Sequence, residues 1–160
     1  MNKEIIIRNA KIDDFEQVHS LIMQVHSLHV KERNDIYKEA NPLTLEDYKA
    51  ELLKDNNIYL AAELENKVVG ICFSNIREIS NNRIMKDRRI LHIEDICVDI
   101  SKRRKGIGEK LYNAIIKKAK DNKVDSIELL VWGFNDDAIK FYEKLGMSIK
   151  NIRFEQNLKF

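Results

Sequence analysis

The chain has 160 residues, 44% of them hydrophobic and 34% charged, a balance that folds rather than stays disordered and that suits one domain of ordinary size. Lys and Arg number 28 against 26 Asp and Glu, a formal net charge of +2, so the overall charge draws the chain neither to nucleic acid nor to a membrane surface. One proline and five glycines leave no linker, no run of about 18 apolar residues could span a bilayer, and Met1-Asn2-Lys3-Glu4 leads into a strand-like triplet rather than a signal core, so a single cytoplasmic domain over 1–160 is expected.

Ile5-Ile6-Ile7 with Arg8-Asn9-Ala10 reads as a first strand, and Asp13 with Glu16 three residues later as a helix start of the capping-box type. Phe15, Val18, Leu21, Ile22, Val25 and Leu28 recur at three- and four-residue intervals and mark that helix's buried stripe. Residues 31–42 are polar and irregular, and a second helix over about 45–53 carries Leu45, Tyr48 and Leu52. The apolar runs 58–62 and 68–73 flank Glu65-Asn66-Lys67 and read as a hairpin. A polar connection, 80–89, leads to a strand over 90–98, a basic loop and a helix over about 108–121. Residues 127–132 are strand-like. Asn135-Asp136-Asp137 then caps a short helix with Ala138, Phe141, Tyr142 and Leu145 on one face and Gly146 at its left-handed end. Residues 147–158 close the chain as one bent strand or two. This order predicts a mixed α/β (α+β) fold.

Cys72 and Cys97 lie in apolar runs outside any C-x-x-C spacing and read as buried, reduced thiols. His26 and His29 are three apart, but no cysteine or carboxylate pattern completes a ligand set, so no metal is expected. The segment Arg103-Arg104-Lys105-Gly106-Ile107-Gly108, between a strand and a helix, has more to say. A helix N-terminus exposes about four unpaired N–H groups and a partial positive charge, and glycines let backbone approach an anion closely. A Walker loop needs four residues between its glycines and then Lys-Ser/Thr, whereas only Ile107 separates Gly106 from Gly108, and Glu109-Lys110 follows. A dinucleotide fingerprint wants a third small residue where Leu111 stands. What remains is R-x-x-G-x-G.

Three further features accompany that loop: Val98 lies five residues before Arg103, Asn135 follows the next strand, and Phe141-Tyr142-Glu143-Lys144-Leu145-Gly146-Met147 comes after it. Together they resemble the GNAT superfamily of acetyl-CoA-dependent N-acetyltransferases, over nearly the whole chain in element order and most sharply from Leu91 to Arg153. The resemblance implies a mixed, mostly antiparallel sheet splayed between its fourth and fifth strands and flanked by helices. It implies that backbone groups of Ile96, Cys97 and Val98 pair with the pantetheine arm of acetyl-CoA. Arg103, Arg104, Lys105, Gly106, Ile107, Gly108 and Glu109 would then surround the pyrophosphate, and Asn135 would touch the cofactor arm.

The implied chemistry is direct acetyl transfer, in a ternary complex, to a primary amine of a small molecule or an exposed protein amine. A lysine-like amine with a pKa of about 10.4 is only about 0.1% neutral slightly above pH 7, so it must lose a proton before attack. Tyr142 is the expected acid for the leaving sulfur, since a phenol can donate at neutral pH. Glu94 is the expected base: alternation puts it on one strand face with His92, Ile96 and Val98 and opposite Cys97, and Glu94-Asp95 resembles the pair in spermidine/spermine acetyltransferases. His92 is the second candidate. Ribosomal-protein N-terminal acetyltransferases carry their glutamate where Leu130 stands, which argues against the same acceptor. The acceptor region of such folds points to His29 and Tyr37, with Glu32, Arg33, Asp35, Trp132 and Arg153 around them. Three alternatives stay open: a CoA-binding sensor without activity, an acyl-Cys97 route, and nucleic-acid contact by Lys102-Arg103-Arg104-Lys105, which the low net charge disfavours. Many relatives of this kind form homodimers.

Overall fold

Two neighbouring residues with positive φ, Glu65 at 53° and Asn66 at 60°, make the turn that joins the second and third strands, and such a turn matches the right-handed twist of a hairpin. In the computed structural model residues 4–158 are described. The elements in chain order are β1 (Ile5–Asn9), α1 (Phe15–Glu32), α2 (Leu45–Leu52), β2 (Asn57–Leu64), β3 (Lys67–Ile79), β4 (Arg88–Val98), α3 (Ile107–Asp121), β5 (Ser126–Leu129) and α4 (Asp136–Lys144). Short 3-10 turns stand at Ile12–Asp14 and Ile100–Lys102. The chain divides into two compact units, Met1–Leu130 and Val131–Phe160.

The first unit holds a five-stranded sheet in the order β1-β2-β3-β4-β5. The first three pairings are antiparallel, and β4 pairs with β5 in parallel through the α3 crossover. One side of this sheet carries the main core, in which Val18 and Leu21 of α1 and the wholly buried Tyr48 of α2 pack on Tyr59, Ala61, Val68, Ile71, Phe73 and Cys97. The Tyr48 hydroxyl donates to the Lys11 carbonyl at 3.0 Å, so its burial leaves no polar atom unmet. The Tyr59 and Phe73 rings stack at 4.1 Å. On the other side α3 buries Ile107, Leu111, Tyr112, Ile115 and Ala119, a stripe with helical spacing.

Asp14, rather than Asp13, organises the start of α1. Its carboxylate accepts the Lys11 amide at 2.7 Å and the two terminal Arg8 guanidinium nitrogens at 2.8 Å, so a buried charge is fully paired. β5 is shorter than the apolar run 127–132 suggests, ending at Leu129. In the second unit, Asn135 caps α4 by accepting the Ala138 amide at 3.2 Å. Gly146 takes φ 91° behind the helix, with Met147 N–H reaching back to the Tyr142 carbonyl. Residues 147–158, expected as one strand or two, form none, since this unit by itself offers no second strand to complete a ladder.

Gly70 sets how closely α3 lies on the sheet. A Cβ there would meet Ile107 Cγ2 at 3.1 Å, and the Cys97 carbonyl oxygen and Leu111 Cδ1 at 3.2 Å each. Gly70→Val should therefore destabilise the fold by about 1–3 kcal/mol through overpacking, read as a lower denaturation midpoint at unchanged slope. An unchanged midpoint would show that α3 can move away freely.

Candidate functional site

The register of β3 against β4 contains one irregularity, and the site is built on it. Asn75 opposes His92 and Ser74 opposes Ile93, but Phe73 opposes Asp95, so Glu94 is an extra residue in β4. Phe73 and Asn75 share one face of β3 by alternation, so His92 and Asp95 also share that face although they are three residues apart. Glu94 joins them, its Oε1 accepting the Asn75 side-chain amide at 2.6 Å. Past the bulge, Cys97 opposes Ile71 on the same face, while Ile96 and Val98 oppose Cys72 and Gly70 on the face toward α3. The expected alternation is thereby corrected: Glu94 keeps His92 as a face-mate, loses Ile96 and Val98, and gains Cys97.

Pairing between β4 and β5 ends at Ile93 opposite Leu129, so the sheet splays there while β4 runs on to Val98. The Asp99 amide donates to the Val69 carbonyl at 2.9 Å. By the two-residue period of an antiparallel ladder, Cys97 then bonds toward β3, and the N–H and C=O groups of Ile96 and Val98 turn away from it. An extended ligand could pair with that edge. The Arg103 guanidinium donates to the Val98 carbonyl at 3.2 Å, tying the basic loop to the end of the strand.

Within the loop, Arg104 has φ 61° and Gly106 φ 73°, a left-handed step at which glycine is the unstrained choice. Gly106 is the N-cap of α3, with no side-chain cap. The first helical amide bond in the turn runs from Lys110 N–H to the Gly106 carbonyl at 3.0 Å, which leaves the amides of Ile107, Gly108 and Glu109 at the uncapped end. A Cβ at Gly106 would meet nothing within 4 Å. This end can receive an anion through backbone donors and the helix dipole.

A cavity of about 500 Å³ opens over the bulged face, walled by Ile22, the 42–43 turn, α2, Tyr59, Phe73 and Asn75, with Asp47, Glu51, Glu94 and Asp95 as its carboxylates and Lys54 as its cation. Asp47 accepts the Thr44 hydroxyl at 2.7 Å, and Glu51 accepts the Asn57 amide at 2.7 Å and pairs with Lys54. Glu94, besides Asn75, has the Arg77 guanidinium at 3.8 Å. Among the described residues no donor reaches Asp95. Burial first, and Glu94 second, push its carboxyl up to about 6. Sequence reasoning noted Asp95 only as the neighbour of Glu94. The signal lies in the bulge, which periodicity does not reveal.

The other expected residues are distributed more widely. His92 is half-buried, and burial, then Arg77, hold its imidazole below the ordinary range. His29 and Tyr37 stack on each other at 5.0 Å, and neither lines the cavity. His19 and His26 bond Asn41 and the Lys38 carbonyl at 2.9 and 3.0 Å, so α1 holds the 33–43 segment by its imidazoles. The Cys97 thiol donates to the Leu21 carbonyl, and burial pushes it up to about 12, which does not suit a nucleophile. Asn135 and Tyr142 lie in the second unit, where Tyr142 meets Phe141 edge-on at 5.1 Å. Among the described residues no group of three or more His, Cys, Asp or Glu is placed to hold a metal ion, and no helix is long and apolar enough to cross a membrane.

A mixed sheet that parts between β4 and β5, with an uncapped glycine turn leading into α3, defines an acyl-CoA N-acyltransferase type of fold. The Acetyltransferase (GNAT) family model matches residues 22–147, and the chain belongs to that family. An uncharacterized N-acetyltransferase of Methanocaldococcus jannaschii is 28% identical over 150 residues, 94% of this chain and 63% of the relative, so the chain spans under two thirds of that protein's length. A mutant of the BH1408 protein from Bacillus halodurans is 35% identical with a TM-score of 0.94, covering 96% of this chain and 99% of that one. An aminoglycoside N-acetyltransferase solved in complex with CoA shares the fold at 17% identity and a TM-score of 0.78, over 99% and 98% of the two chains.

Asp95 gives a pH-dependent stability of definite sign. Its carboxyl titrates at about 6 in the folded chain and at about 3.9 unfolded, so the folded state holds more protons between those values and stability falls as pH rises through the window. Asp95→Asn should match the parent below about pH 4 and exceed it by about 3 kcal/mol above about pH 6.5, at about 1.4 kcal/mol per pH unit. Denaturant unfolding at the two pH values reads this directly, and equal stability at both would rule it out.

Proposed function

We propose that the chain transfers the acetyl group of acetyl-CoA to a primary amine, on a cationic small molecule or an exposed protein side chain, with donor and acceptor bound together and 1–160 working as one domain. The observation that carries this reading is the cavity in which four carboxylates face one lysine already paired with Glu51. Its volume suits a small-molecule site, and its charge favours an ammonium ion. The outward backbone groups of Ile96 and Val98 would hold the pantetheine arm, with Cys97 packed between them. The uncapped amides of Ile107, Gly108 and Glu109 would take the pyrophosphate, with Arg103, Arg104 and Lys105 adding counter-charge and Gly106 its open approach, and Asn135 would contact the arm. The thioester supplies an activated acyl carbon and a good leaving group.

The residues of the chain have two proton tasks. The Glu94–Asp95 pair would bind the ammonium and accept its proton, Glu94 being the member that the family resemblance nominates. Tyr142, in the F-Y-x-k-x-G segment, would donate to the departing sulfur. The CoA complex of the aminoglycoside acetyltransferase neighbour supports the choice of donor and of an amine acceptor.

Release of free thiol from acetyl-CoA, measured across polyamines, aminoglycosides, amino acids and peptides, tests the reading. Release above hydrolysis is expected with at least one amine, and Tyr142→Phe should lower kcat about 100-fold with CoA affinity kept. If no amine elicits release, the reading as a CoA-binding sensor is favoured instead. A full rate for Tyr142→Phe would remove the acid assignment alone.

A further inference from the structure

We propose that Asp95, rather than Glu94, is the carboxylate that meets the acceptor's ammonium and takes its proton; the assignment rests on the acetyl-transfer reading above. The two neighbours differ in how they are held. Oε1 of Glu94 accepts the Asn75 amide at 2.6 Å with Arg77 at 3.8 Å, and Arg77 Nε in turn donates to Asn75 Oδ1 at 2.8 Å. Glu94 is thus already supplied with donors and a counter-charge, in an exposed position. Asp95 is half-buried, opposes Phe73 across the bulge, lines the acidic cavity, and has no donor from any described residue.

A half-buried carboxylate without a protein donor gains from a partner that brings one, and the charged groups around the cavity explain why none of its neighbours does so. Glu94 beside it on β4 repels it. The Cys72 and Cys97 thiols and the Tyr59 phenol are all pushed up, by burial first and to a lesser extent by Asp95. From α2, Asp47 and Glu51 add negative charge, and Lys54 pairs with Glu51. What is missing is a cation that brings its own hydrogens, and a protonated amine is one. In the step, one ammonium proton passes to an Asp95 oxygen and the nitrogen lone pair forms the bond to the acyl carbon. The carbon–sulfur bond breaks with its electron pair on sulfur, and the second nitrogen proton reaches that sulfur by way of the Tyr142 phenol. Asp95 then returns its proton to solvent. Its carboxyl, held up to about 6, would be ionised and ready at neutral pH yet a better proton acceptor than an ordinary aspartate.

Two measurements on the full chain test this. In carboxyl carbon NMR, with Asp95→Asn used to assign the resonance, spermidine at saturating concentration should lower the Asp95 titration midpoint by about one pH unit or more, as an opposite charge within reach requires. In thiol-release kinetics with an accepted amine, Asp95→Asn should cost about 100-fold in kcat and flatten the acid limb of kcat/KM. Glu94→Gln should keep the limb and act mainly on the amine KM. An Asp95 midpoint unmoved by spermidine, or an acid limb that survives Asp95→Asn and vanishes in Glu94→Gln, would overturn the assignment. If the parent chain moves its midpoint with spermidine but transfers to no amine, the transferase reading falls and the ammonium contact at Asp95 stands.

Discussion

One extra residue in β4 governs how the first unit is arranged. In a regular ladder, His92, Glu94, Ile96 and Val98 would face one way, and Asp95 and Cys97 the other. The bulge at Glu94 resets the phase. It brings Glu94 and Asp95 together where the cavity opens, with His92 on the same strand face, and turns Ile96 and Val98 toward α3. It also lies one residue past the last β4–β5 pair, Ile93 with Leu129. A bulge raises the local twist and bends its strand, so the departure of β4 from β5 and the gathering of carboxylates have one physical origin. The strand can therefore present an acidic side-chain face on one side, while the backbone groups of Ile96 and the Val98 N–H stay turned away from β3 and the Val98 carbonyl accepts from Arg103.

The position of α3 depends on the same strand from its other side. Gly70 opposes Val98, and its missing side chain lets Ile107 and Leu111 settle against β3. That contact fixes the first turn of the helix, and Arg103 fixes the loop by bonding the Val98 carbonyl. The uncapped amides at the start of α3 are thus referenced to the end of β4. The uncapped start of α3 and the end of β4 are held in register by the absent side chain of Gly70 and by the Arg103 bond to the Val98 carbonyl.

What the sequence makes legible follows from where each signal resides. Periodicity in α1 and α3, positive-φ residues at the Glu65-Asn66 turn and glycine behind α4 are local, and each appears where the pattern puts it. The R-x-x-G-x-G loop is local too, and the uncapped α3 follows from it. A bulge leaves no such mark, because one inserted residue in an apolar strand reads as a continuation of the alternation. The acidic cavity is equally hidden: Asp47 and Glu51 lie about forty residues from Glu94 in the chain, and only the packing of α2 against β2 brings them to one wall. The Asp13–Glu16 box misled for a related reason, since the distant Arg8 and the nearby Lys11 amide make Asp14 the better anchor. Strand pairing for 147–158 likewise depends on a neighbour, which the alternation of its own residues cannot supply.

Asp14 and Asp95 show how the same side chain is assigned two tasks by its surroundings. Asp14 is buried and Asp95 half-buried in the first unit. At Asp14, burial alone would raise the carboxyl, but the Arg8 guanidinium and the Lys11 amide outweigh it and hold the group below its ordinary range; the charge is permanent and the role is structural. At Asp95 burial meets no donor, Glu94 adds to it, and the group is left able to change its proton near neutrality. Satisfying Asp95 with a local arginine would cost little in sequence terms and would stabilise the fold, as Arg8 does at the other end of the sheet. Asp95 instead meets no protein donor and lines a cavity of sufficient size for a small amine, which leaves its carboxylate open to a partner from solution. The contrast separates a carboxylate built to hold the fold from one available to exchange a proton with what binds beside it.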